Sequence, residues 1–171
     1  GPALHIALSS IHWREAWKYG ERAFRYCQHD TGHALAAMRM AAAMMGWDVR
    51  VLPGWSAGSV SAALGLDRED DFAESEPEEP ACLCLVSPQT VDTAALPRAD
   101  AVIPALHAGA WTGRANRLSP DHVSWDWIDA VAEASRDTGA AAEPTAVAGR
   151  WTPIERPGPC AVSTASTLLL Q

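Results

Sequence analysis

The sequence is short of lysine. Of its 13 basic residues 12 are arginine, and Lys18 is the one lysine. Tyrosine and phenylalanine are scarce as well, two of each against eight tryptophans. The four cysteines, Cys27, Cys82, Cys84 and Cys160, are too few and too scattered to frame a disulfide-built secreted domain. No apolar run approaches the ~20 residues that span a bilayer, and no basic stretch leads into the short apolar core of a signal peptide. No clustered Lys/Arg stripe is present and the formal charge is −8, which argues against a nucleic-acid partner. Walker-type and dinucleotide-type glycine loops are missing, as is a serine nucleophile elbow. A cytoplasmic protein without membrane contact is the expectation.

What is present is enough for one ordinary domain. The chain has 171 residues, 48% of them apolar and 20% charged, so it can bury a core. Its charge is localised. Residues Asp67 to Glu79 hold eight acids and one arginine, a net of −7, which leaves the remainder nearly neutral. That run reads as a solvated, mobile loop, and it lacks the alternating pattern of a calcium loop.

Periodicity sketches the elements. Ala3 to Ser10 reads as a buried strand. Helical texture runs from Trp13 through Gly46, and the Ala/Leu/Met-rich stretch within it is apolar nearly all round, as a buried central helix would be. A brief strand at Val49 to Leu52 precedes a helix over Ala57 to Leu64, capped by Ser56 and ended by Gly65. Ala81 to Pro88 is the clearest strand. Leu96 to Ala110 predicts a helix broken at Pro97 and Pro104, and Trp125 to Arg136 another, with Ser124 or Asp121 as its cap. From Thr138 onward the composition is that of a linker, and the closing STASTLLLQ reads as the start of a further helix. Helices and strands interleave without a strict βαβ period, so the expected class is α+β.

The segment Trp13 to His33, WREAWKYGERAFRYCQHDTGH, concentrates the chemistry. On one continuous helix Arg14, Lys18, Arg22 and Tyr26 fall at successive i,i+4 positions and form a stripe. Neighbouring arginines, with burial among Trp17 and Tyr19, would disfavour the charged amine and equip Lys18 as a proton acceptor. An exposed helix laced by its own glutamates fits the same spacing.

The string KYGERAFRY, followed by DTGH and the Ala/Leu/Met-rich helix ending in Gly-Trp, resembles the SagB-type dehydrogenases of the nitroreductase family, which include azoline oxidases. The likeness continues through Leu52-Pro53-Gly54-Trp55 and Leu64-Gly65-Leu66-Asp67 to the strand at Leu83 to Val86, so it covers residues 4 to about 88. A weaker likeness to the inter-domain region of tandem relatives lies at Gly113 to Ser119. The resemblance implies an α+β, nitroreductase-like fold. An antiparallel-rich sheet would be flanked by helices around the central helix, with a second nitroreductase-like domain or chain completing it. It implies FMN as cofactor and a small-molecule or peptide substrate, an azoline among them. By the same likeness Lys18 and Tyr19 match a catalytic pair, and Arg22, Leu52, Pro53, Gly54 and Trp55 fall at cofactor-binding positions. Trp55 stands where the family often has a second glycine. The Arg-rich segment that holds the FMN phosphate in such domains has no counterpart upstream of residue 4. The expected organisation is a partial nitroreductase-like core over 1–88, a helical extension over 89–137 and a linker or tail over 138–171. A flavin-free module that supports a partner domain is the alternative.

Other patterns have plainer readings. Cys82 and Cys84, two apart on a strand, share one face and read as core thiols. His29 and His33 have a chelating spacing but no third ligand in view, and Asp30 is placed to orient His33. The methionines at 38, 40, 44 and 45 read as core filler, and Trp125 and Trp127 as packing residues.

Overall fold

The structure, a computed structural model, describes residues 3–52, 54–89, 92, 96–117, 119–121 and 123–140. Three strands form one antiparallel sheet in the order β1–β3–β2, where β1 is Leu4–Ser10, β2 Asp48–Val51 and β3 Glu79–Ser87. The most continuously apolar run in the chain takes the central place, and its residues from Leu83 to Ser87 are all buried. Ala7 and Ile6 stand opposite Leu83 and Cys84, and Val51 faces Cys84 from the other side.

The period of two along β3 divides the core. Leu83 and Leu85 join Leu52, Trp55 and Val60 in one buried cluster, which is covered by α3 (Ala57–Leu64) and α5 (Ala99–His107). Cys82, Cys84 and Val86 belong to the opposite face, where α2 (Ala23–Met44) packs on β2 and β3. A second, smaller cluster of Ala16, Ala23 and Ile128 ties α1 (His12–Tyr19) and α2 to α6 (Asp126–Ala134). Segments after residue 88 thus contribute to both clusters.

The start and stop of α3 follow its sequence. Ser56 Oγ accepts a 3.0 Å hydrogen bond from the Ser59 N–H, and Gly65 adopts φ +72°, the left-handed conformation that lets the last turn close. Residues 137–139 lie over the same end of α3, since the Ala57 N–H donates to the Asp137 carbonyl at 2.8 Å. The closing tail predicted beyond residue 140, with Cys160 and the STASTLLLQ helix, lies outside the described residues.

Several expectations need correction. The helix over 13–46 is interrupted at Gly20, where φ +57° and ψ −141° end α1 and a 3-10 turn, Gly20–Arg22, leads into α2. Pro104 does not break α5, because it removes only one backbone bond while Val102 and Ile103 pack against the core cluster. Ser124 does not cap α6; its hydroxyl donates instead to Asp126 at 2.8 Å. The acidic run is more than a solvated loop. It contains the one-turn helix α4 (Glu69–Phe72), an Arg68–Asp71 ion pair at 2.6 Å and the buried Glu76, and Glu79 opens β3.

The largest correction concerns α2. Among its 22 residues only Ala23, Cys27 and Ala42 are buried. Its C-terminal half carries Met40 at 56% and Met44 at 90% exposure, and Met45 follows at 65%. The helix expected at the centre of the domain covers one face of the sheet and presents its own outer face bare. No helix among the described residues is long and apolar enough to cross a membrane.

Candidate functional site

Lys18 and Tyr19 end α1, and the turn at Gly20 bends the chain so that Tyr26, in the first part of α2, meets Tyr19. The two rings lie 4.4 Å apart between centroids. Lys18 Nζ stands 5.1 Å from the Tyr19 ring centre and the Arg25 guanidinium 6.0 Å from that of Tyr26. Two cations thus rest on a pair of packed tyrosines, an arrangement in which each ring's negative face steadies a positive charge. The bend requires glycine: a Cβ at Gly20 would sit 3.2 Å from the Trp125 ring, on a backbone that L side chains avoid.

The i,i+4 stripe does not survive that bend, since Arg22 lies in the 3-10 turn and not on the face of α1. The expected burial of Lys18 is likewise absent. Lys18 and Arg22 are exposed, and Trp17, expected to shield the amine, is 80% exposed.

The other predicted positions lie elsewhere. Leu52 and Trp55 are 4% and 5% exposed inside the core cluster, and the Trp55 indole N–H donates to the Pro97 carbonyl at 2.9 Å. Trp55 therefore works as a core residue anchored to the approach to α5. Gly54 is exposed with φ +82°, and Pro53 lies outside the described residues. None of these predicted positions lines the cleft described next.

Sequence reasoning missed a cleft of about 370 Å³ where the end of β1 meets α1 and α2. Ser10, Arg14, Glu15, Asp30, Thr31 and Glu78 line it with mixed charge. Cys27 also lines it; burial is the main influence pushing the Cys27 thiol above its usual range. The cleft escaped notice because its walls come from segments up to about 70 residues apart, with Ser9 donating to Glu78 across that gap. The paired serines closing β1 were the only local signal. Nearby, His33 Nδ1 lies 3.6 Å from Asp30, the orientation that the spacing predicted. Among the described residues no group of three or more His, Cys, Asp or Glu is placed to hold a metal ion.

No family model, curated protein or solved structure matches the chain.

Proposed function

We propose that this chain is a partner-dependent module of nitroreductase-like kind, whose outer α2 face is covered by a second such domain or chain. The observation that carries the reading is the bare apolar half of α2. Met40 and Met44 on the helix, and Met45 just beyond it, leave large hydrophobic surface in water, and contiguous exposed apolar surface marks interaction sites. Nearly all of the net charge lies in the acidic run, so electrostatic repulsion does little to oppose docking at α2. The test is size: light scattering of the purified chain, alone and co-expressed with a candidate second nitroreductase-like domain or chain, should reveal a complex. A chain that stays monomeric in both settings overturns the reading.

A second reading, for the assembly and not the chain alone, is an FMN-dependent oxidoreductase unit acting on an azoline or similar group in a peptide. The grouping of Lys18, Tyr19 and Tyr26 favours it, since it sets the expected Lys–Tyr pair side by side at the end of α1, with a second phenol packed on the first. In this reading Lys18 is the base, Tyr19 orients it, and Gly54 gives the close backbone approach a flat ring needs. The burial of Leu52 and Trp55 favours the flavin-free form of the module. The absorption spectrum of the complete assembly decides between the two. A blue-region band bleached by dithionite supports the oxidoreductase, and Lys18→Ala should then keep the colour and lose turnover. A protein that stays colourless after FMN is added leaves the scaffold reading.

A further inference from the structure

Arg14, Trp17 and Lys18 stand at i, i+3 and i+4 on α1, opposite the buried His12 and Ala16, so they share its outer face. All three are exposed, Trp17 at 80%. The bend at Gly20 breaks the i,i+4 stripe but carries the basic surface onward. Lys18 lies against the Tyr19 ring, that ring against Tyr26, and Tyr26 against Arg25, which joins the end of α1 to the start of α2. Arg22 is exposed in the turn between them, and Glu21 is the one exposed acid within residues 14–25.

These cations are unmatched inside the chain. Arg50, Arg68, Arg98 and Arg136 each hold a carboxylate. Arg14, Lys18, Arg22 and Arg25, all exposed, form no ion pair among the described residues. The acidic run has the opposite excess. Asp71 and Glu79 are taken up by Arg68 and Arg136, and Glu78 accepts from the Ser9 hydroxyl. Asp67, Glu69, Asp70 and Glu74 are exposed and form no ion pair among the described residues. The chain thus carries two surfaces of opposite sign, and no ion pair among the described residues joins them.

We propose that the basic, aromatic face formed by α1 and the start of α2 docks the acidic run, Asp67–Glu79, of a second copy of this chain. The occupant follows from charge. Cations gathered side by side repel one another, and a segment of net charge −7 relieves that repulsion and steers the encounter. Trp17, the two tyrosines and the arginines are the residue types that anchor interfaces. Each exposed ion pair is weak alone, so the association needs several formed together and fades as salt screens them. Because unlike surfaces meet, two copies close on each other only where both contacts form at once; otherwise copies add in a row. The contact uses none of Met40, Met44 and Met45, so it is separate from the α2 docking proposed above.

Sedimentation velocity of the full chain tests this. At about 20 mM NaCl, where charges act over roughly 20 Å, the chain should sediment as more than a monomer. At about 500 mM NaCl, where that range shrinks to roughly 4 Å, the association should weaken about tenfold or more. Arg14→Glu with Arg25→Glu should weaken it to a similar degree at low salt, as should Glu69→Lys with Asp70→Lys, because each change gives the two surfaces like sign. An equal mixture of these two double variants should associate again, since the reversed face of one meets the reversed run of the other; a misfolded variant is not rescued in this way. Met44→Glu should leave the salt-sensitive association within about twofold of the parent. A chain that is monomeric at low salt, or a mixture of the double variants that stays monomeric, would overturn the proposal. An association indifferent to salt and lost in Met44→Glu would be the α2 docking alone, and would overturn this contact while leaving that reading standing.

Discussion

The two faces of the small sheet are built on different terms. One is closed by the chain itself: Leu83 and Leu85 sit under Trp55, Leu52 and Val60, with Val102 and Ile103 of α5 packed against them. The other is closed by a single helix whose far side is open, and the thiols and alanines there give small contact surfaces. Large side chains gather on the first face, while Met40 and Met44, both exposed, lie on the helix over the second. The first face is thus sealed by the chain itself, and the helix over the second carries the exposed apolar surface on which the proposed docking rests.

Mutation should break the two faces unequally. The largest loss is expected from Trp55→Ala, which empties a site 5% exposed and removes the indole donor from the Pro97 carbonyl. A buried tryptophan truncated to alanine costs about 3–5 kcal/mol, visible as a drop in the urea midpoint. A midpoint unmoved by this change would mean that the closed face is not the stabilising one. Smaller is Ser56→Ala, which leaves the Ser59 N–H without its 3.0 Å acceptor at the start of α3. About 1 kcal/mol is expected, and Ser56→Asp should restore most of it.

A third contrast lies at the junction of α1, α2 and α6. His12 is 8% exposed with its ring 5.4 Å from that of Phe24. Burial lowers its pKa below the ordinary 6.5, and the carboxylates of Glu79 and Asp129 oppose that shift. The neutral ring is therefore the form the fold prefers. The unfolded chain takes up the proton first as pH falls, so this contribution is intact above about pH 6.5 and is lost progressively below it. Denaturation curves at pH 7.5 and pH 5.5 should differ less in His12→Gln than in the parent. An equal acid-induced loss in both would place the sensitivity on other groups.

Why some of this was legible in the sequence and some not follows from what each signal encodes. Strand β3 and helix α3 were readable because the run CLCLV, the Ser56 cap and the Gly65 stop act within a few residues of themselves. The turn at Gly20 was misread because KYGER lies between two good helical stretches, and only a positive φ tells a helix stop from a tolerated glycine. Trp55 falls at a cofactor-binding position by resemblance alone, and its core role is not legible because sequence cannot say that Pro97, some 40 residues on, offers it a carbonyl. The mixed-charge cleft joins residues from β1 and α1, α2 and the acidic run, and beyond the paired serines of β1 it has no local pattern. For α2 the reading of an apolar helix was sound as chemistry and misplaced in space: apolarity says that a surface is to be covered, not which chain covers it.

That last point gives the smallest effect on stability and the sharpest use of the comparison. Met44 is 90% exposed, so Met44→Glu removes almost no buried contact within the chain. The urea midpoint of the isolated chain should correspond to a change within about 0.5 kcal/mol, the range of ordinary surface substitutions. The same carboxylate set into a covered apolar interface would be desolvated without a partner and should abolish co-purification with the second domain or chain. The two readouts pull apart only if the cover is external. A loss of more than about 2 kcal/mol in the isolated chain would show that its own residues close the α2 face, making the two faces of the sheet alike. Unchanged association with unchanged stability would instead place the docking surface elsewhere on the molecule and leave α2 exposed in the assembly.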